Sequence, residues 1–167
     1  MLIFKFGGAS VKDSESVQKL PAILRQYHGK ELIVILSAMG KVTNAMEQLA
    51  DACFRQEDTD EHFNNIKKYH LDIVKELFPD DSHIIHEKLG VLFQELKSLL
   101  DLDVPDNYDL FYDQLVPYGE LLSTTIVSTF LQDQDIANIW MDARKLVITD
   151  STHRAAYIDW EQSEQLI

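Results

Sequence analysis

Leu2-Ile3-Phe4-Lys5-Phe6-Gly7-Gly8-Ala9-Ser10-Val11 is the stretch whose reading decides the fold. Leu2 to Phe6 is a short apolar run that stops at a glycine pair, the pattern of a buried strand closed by a glycine turn. Val17, Leu20, Ile23, Leu24 and Tyr27 then recur at helical spacing, with Asp13 or Ser14 placed to cap the helix and Gly29 to end it. Pro21 lies inside that pattern, so a kink or break is expected there. Leu32 to Leu36 is rich in β-branched residues and reads as a second buried strand. Strand, glycine turn, helix and strand make the β-α-β unit of a parallel sheet.

Outward from this unit the pattern turns helical. Ala45, Met46, Leu49, Ala50, Cys53 and Phe54 mark one helix, with Thr43 as its expected cap. Phe63, Ile66, His70, Ile73, Val74 and Leu77 mark a second, ended near Pro79. Ile85, Leu89, Leu92, Phe93, Leu96, Leu99 and Leu100 mark a third, with Ser82 as its expected cap. Each apolar stripe needs a surface to pack on, so residues 59 to 101 are expected to form a helical hairpin beside the α/β unit. Leu102 to Asn107, with Pro105, reads as a loop. The α/β pattern then returns: a helix over Tyr118 to Leu131, a strand over Ile136 to Met141, and a shorter one over Leu146 to Ile148. Asp159 and Gln162 form a capping pair for a final helix, which has barely begun at Ile167. Domains rarely stop in a first helical turn, so the expectation is a front part of a larger domain.

Among the 167 residues, 28 Asp and Glu against 15 Lys and Arg give a net charge of −13. Such a surface repels a polyphosphate backbone, which argues against a nucleic-acid partner. The acids cluster at Glu57 to Glu61, Asp80 and Asp81, and Asp101 to Asp109, where they read as solvated loops and helix ends. The stretch before residue 57 is not acidic, so an anion can bind there. Cys53 is the only cysteine, which excludes an intrachain disulfide and a cysteine metal cage. The longest wholly apolar run, Leu32 to Leu36, is too short to span a bilayer, and the N-terminus lacks a signal-peptide pattern. A soluble, cytoplasmic protein without a membrane partner is expected. His70, His83 and His86 lack metal-ligand spacing, and no metal site is assigned to them. Trp140, Trp160, Met39 and Met46 read as packing residues, and Cys53 as buried and inert.

Lys5 falls at the carboxyl end of the first strand, the edge beyond which open α/β sheets bind ligands. Gly7 and Gly8 let the backbone approach a ligand and take positive φ, and their N–H groups with the following helix start can cradle a phosphate. Lys5 adds a mobile point charge. The lysine precedes the glycines, so this is neither a Walker loop nor a dinucleotide fingerprint. Alone, the stretch reads equally as a tight turn beside a solvated lysine. Ser37 and Gly40 follow the second strand on the same edge, where a hydroxyl can serve a carboxylate or phosphate. Glu120 opens a helix, either as a first-turn acid or as a partner for an ammonium group, and Gly119 beside it would let a ligand come close. Arg144 can clamp a carboxylate or pair with Asp142 or Asp150.

Lys5-Phe6-Gly7-Gly8-Ala9-Ser10-Val11 resembles the opening signature of the aspartokinases, which usually has Thr where this chain has Ala9. Ser37-Ala38-Met39-Gly40-Lys41-Val42-Thr43-Asn44 resembles their second signature, Tyr118-Gly119-Glu120-Leu121-Leu122-Ser123 their third, and Asp142-Ala143-Arg144-Lys145 a fourth segment. Four matches in order are specific where one would be weak. The resemblance implies a three-layer αβα sandwich with a mainly parallel sheet, of which residues 1–167 are the N-terminal lobe. It implies transfer of the ATP γ-phosphoryl group to the side chain of L-aspartate, towards lysine, threonine and methionine, with Mg²⁺ bridging the phosphates. Lys5 would be the catalytic residue, and Lys5, Gly7, Gly8 and Ser10 would hold phosphates. Ser37, Thr43, Glu120 and Arg144 would hold the substrate. The nucleotide lobe and regulatory domains would lie outside these residues, leaving this piece inactive alone, and its open faces would favour a homo-oligomer. A kinase for glutamate, acetylglutamate or a nucleotide, or a non-catalytic interaction module, are the alternatives.

Overall fold

In the computed structural model, which describes residues 1–102 and 106–167, Leu2–Phe6 (β1) and Leu32–Leu36 (β2) pair in parallel, Leu2 opposite Leu32 and Phe6 opposite Leu36. Side chains alternate across a strand. Phe4, Phe6, Leu32, Val34 and Leu36 therefore share one face and pack on the core. Ile3, Lys5, Ile33 and Ile35 share the other, with Ile3 58% and Ile35 47% exposed. Among the described residues the sheet is two-stranded and helices cover one face, so two layers are present.

The chain between the strands breaks as its proline dictates. A 3₁₀ turn at Gly8–Val11 leads to Ser14–Gln18 (α1), and Leu20–Arg25 (α2) follows after one residue. Asp13 caps α1 by accepting from the Ser16 N–H. Pro21 sits in the first turn of α2, where its missing N–H costs nothing.

Val42–Phe54 (α3), Asp60–Leu77 (α4) and Ile84–Leu100 (α5) match the three apolar stripes. The α4–α5 hairpin closes with the Phe63 and Phe93 rings 6.3 Å apart and Lys97 Nζ 2.9 Å from Asp60. Tyr108–Leu115 (α6) falls where no helix was expected, capped by Asn107, whose side chain accepts from the Asp109 and Leu110 N–H groups. Tyr118–Asp133 (α7) is largely buried, with a narrow half-buried polar stripe of Glu120, Thr124 and Ser128, and touches β2, α3, α4 and α5. Trp160–Leu166 (α8) ends the chain, capped by the expected Asp159 and Gln162 pair.

Several expectations are corrected. The α5 cap is His83, whose Nδ1 accepts from the Ile85 N–H at 3.2 Å, because Ser82 is occupied with Asp80. Ile136–Met141 and Leu146–Ile148 are not strands, because neither finds a ladder partner; Ile139 is 87% exposed. An isolated antiparallel bridge between Thr149 and Ile158 is the pairing seen there. Trp140 and Trp160 are exposed rather than packed, and Trp140 Nε1 donates to Thr124 Oγ1 at 2.9 Å. Met39 and Met46 are fully buried, and Cys53 is buried with its thiol pKa raised by desolvation. Residues 103–105 of the expected loop lie outside the described residues. No described helix is long and apolar enough to cross a membrane.

Candidate functional site

Two loops leave the carboxyl ends of the two strands and are stitched together. The Ser37 N–H donates to the Phe6 carbonyl at 3.1 Å and the Gly40 N–H to the Gly8 carbonyl at 3.0 Å. A Cβ at position 8 would lie 2.7 Å from the Ala38 carbonyl oxygen and 2.8 Å from that of Gly40. Gly8 is thus required by the second loop. Gly7 has nothing within 4 Å of its would-be Cβ and a φ of −74°. Neither Gly7 nor Gly8 uses the positive φ that glycine allows; Gly40 does, at +53°.

Lys5 stands on the open face of the sheet, two residues before Gly7, exposed and without an ion-pair partner among the described residues. Gly7 is exposed at the loop tip. The exposed Ser10 closes the turn by donating its N–H to the Gly7 carbonyl at 2.8 Å. Thr43 is not the cap of α3. That place falls to Lys41, because the left-handed bend at Gly40 starts the helix earlier, with the Val42 N–H on the Met39 carbonyl. Thr43 is left half-buried in the first turn, its hydroxyl without a protein partner among the described residues.

The first turns of α7 reach the same edge. Glu120 Oε1 accepts from the Ala38 N–H at 3.2 Å, and Ser123 Oγ donates to the Ser37 carbonyl at 2.8 Å. Gly119 packs tightly on the second loop: its would-be Cβ falls 3.1 Å from Ala38 Cβ and 3.3 Å from Val42 Cγ1. The structure thus brings together Lys5, Gly7, Gly8, Ser37, Gly40, Thr43 and Glu120 along one edge.

Arg144 behaves differently. Its Nε lies 3.0 and 3.2 Å from the two Asp142 oxygens and its Nη2 2.8 Å from Oδ2. The guanidinium and the Arg144 N–H hold the Asp142 carboxyl below its usual pKa. Of the two sequence readings, the geometry displays the pairing with Asp142.

Sequence reasoning gave no role to Ser123 or to the Ala38 N–H. Ser123 lies inside a quoted signature, so its signal was present; a backbone donor leaves none. Among the described residues no cluster of three or more His, Cys, Asp or Glu could hold a metal ion. Mg²⁺ beside substrate phosphates needs only one or two carboxylates, and Glu120 is a carboxylate that this edge would offer it.

Residues 1–167 match the family model described as the amino acid kinase family. Aspartokinase 1, chloroplastic, of Arabidopsis thaliana is 31% identical over 135 residues, which are 77% of this chain and 23% of the relative. Lysine-sensitive aspartokinase 3 of Escherichia coli (strain K12) is 27% identical over 151 residues, 90% of this chain and 32% of the relative. The chain thus spans between about a quarter and a third of the length of these relatives. The crystal structure of E. coli aspartokinase III in complex with aspartate and ADP superposes with a TM-score of 0.83 at 26% identity, covering 99% of this chain and 36% of that one.

Proposed function

The chain belongs to the amino acid kinase family, and from that premise we propose that it is the acceptor-binding part of an aspartokinase catalytic domain. The observation that carries this reading is the Glu120 carboxylate on the Ala38 N–H, which draws the third signature segment onto the second at the edge where the first begins. Both supposed reactants are anions, so catalysis is mainly positioning and charge neutralisation. Lys5 neutralises the transferring γ-phosphoryl group, and the Gly7 and Gly8 N–H groups donate to phosphate oxygens together with the Ser10 hydroxyl, since the Ser10 N–H is held by the Gly7 carbonyl. The Ser37 and Thr43 hydroxyls orient the aspartate. Glu120 holds its α-ammonium through Oε2, the oxygen free of protein partners among the described residues. An oxygen of the substrate side chain attacks the γ-phosphorus, the bond to the β-phosphate oxygen breaks, and ADP leaves. Arg144 would have to release Asp142 to reach a substrate, and takes no part in this reading. Ala9 offers no hydroxyl, so the phosphate donors of this loop are the glycine N–H groups and the Ser10 hydroxyl. Further segments of a protein as long as the relatives would cover the open face and complete the three-layer sandwich.

The test is a coupled ADP-release assay. A longer protein carrying the whole kinase domain should turn over with L-aspartate, and Lys5→Ala should lower kcat by about 10²-fold or more. The 167-residue chain alone should show no turnover. Normal turnover by Lys5→Ala, or turnover with L-glutamate equal to that with L-aspartate, would contradict the reading.

A further inference from the structure

No chemistry was legible in the residues of α4, yet α4 touches both loops of the candidate site. The half-buried Tyr69 donates its hydroxyl to the Lys12 carbonyl, at the end of the first loop. The same phenol oxygen lies 2.6 Å from the place a Cβ on Gly40 would take, and the ring carbon Cζ lies 3.5 Å from it. Gly40 is the residue whose N–H is bonded to Gly8. One residue before the end of α4, Glu76 accepts from the Ser14 hydroxyl at the start of α1. One helix thus grips the strand-one loop on both sides of Asp13 and abuts the strand-two loop at its left-handed glycine.

We propose that Tyr69 is a positioning residue, which holds the Gly8 and Gly40 loops at the spacing that the phosphate donor and the amino-acid acceptor need. This rests on the functional reading above. Tyr69 touches neither reactant. It acts through the Lys12 carbonyl and through contact with Gly40. Burial, and to a lesser degree the neighbouring Asp13 charge, raise the phenol pKa, so the group stays a donor at neutral pH. Misplacement of a loop by about 1 Å is enough to cost roughly 10²-fold in a phosphoryl transfer that depends on alignment.

Two measurements on the 167-residue chain test this, amide hydrogen exchange and calorimetry with L-aspartate. Tyr69→Phe should raise the exchange rate of the Gly40 amide about tenfold, as expected for one lost hydrogen bond. It should weaken aspartate binding to a similar extent while the amides of α5 change less and the thermal midpoint falls by no more than the few degrees that one hydrogen bond accounts for. Gly40→Ala should bind aspartate poorly on two counts, the strained φ of +53° and the phenol oxygen, and adding Tyr69→Phe should relieve the second and restore part of the binding. Unchanged Gly40 exchange in Tyr69→Phe, faster exchange with unchanged aspartate affinity, or no relief in the double variant would each overturn the proposal. A wild-type chain that binds no aspartate would overturn the functional reading instead, and Gly40 exchange would then decide alone whether Tyr69 holds the loops.

Discussion

Phe4, Phe6, Leu32, Val34 and Leu36 pack on the helical core, whereas Ile3, Ile33 and Ile35, in the same two strands, stand in the open on the other face. The two faces carry the same class of residue. A parallel strand that is apolar on both sides is composed for burial on both sides. The contrast teaches that packing within these residues, not residue type, separates a covered face from an open one. It also sorts the loop residues: Gly8 belongs to the closed side, pressed on the second loop, and Gly7 and Lys5 to the open one.

The sharpest way to break the contrast is at the glycine pair. Gly8→Ala forces a methyl against two carbonyl oxygens and should cost about 3 kcal/mol in urea unfolding. Gly7→Ala should stay within about 0.5 kcal/mol, its loss showing only in phosphate binding. Equal losses would show that the two glycines do not differ.

The covered side also holds His70, fully buried on α4, with Nδ1 2.7 Å from the Ile66 carbonyl. Burial lowers its pKa from 6.5 to about 4. The unfolded chain therefore takes up this proton first. The stability it contributes is present above pH 6.5 and is lost as pH falls from there towards 4, by about 3 kcal/mol in all. His70→Leu should flatten the pH dependence of the unfolding midpoint in that window, and an unchanged slope would count against the buried neutral imidazole.

Val34→Ala, on the covered face, should cost about 2 kcal/mol by denaturant titration. Ile35→Lys, on the open face, should change stability by less than about 0.5 kcal/mol yet reduce self-association in light scattering. A monodisperse wild-type chain at high concentration would remove the reason for that second effect.

The β-α-β unit, the break at Pro21 and the three stripes of α3, α4 and α5 were legible because each rests on local periodicity or local sterics. The strand expected at Ile136–Met141 was not, because a strand needs a partner that periodicity does not supply. The α6 helix was hidden by its acidic, aromatic composition, although Asn107 is a proper cap. At the site, Lys5, the glycines, Ser37 and Glu120 were legible by type and position. Thr43 was misread as a cap, because the bend at Gly40 begins the helix two residues sooner than composition suggests. Tyr69 carried no signal, since its role depends on where a helix about 30 residues downstream of Gly40 comes to rest.

An amide-resolved NMR titration of this chain with L-aspartate tests the candidate site most directly. The Ala38, Gly40 and Glu120 amides should shift together and saturably, L-glutamate should leave them nearly unmoved, and Glu120→Gln should weaken the response by about tenfold. Silence at those three positions under millimolar L-aspartate, or an equal response to L-glutamate, would contradict the claim that this sheet edge is an aspartate site.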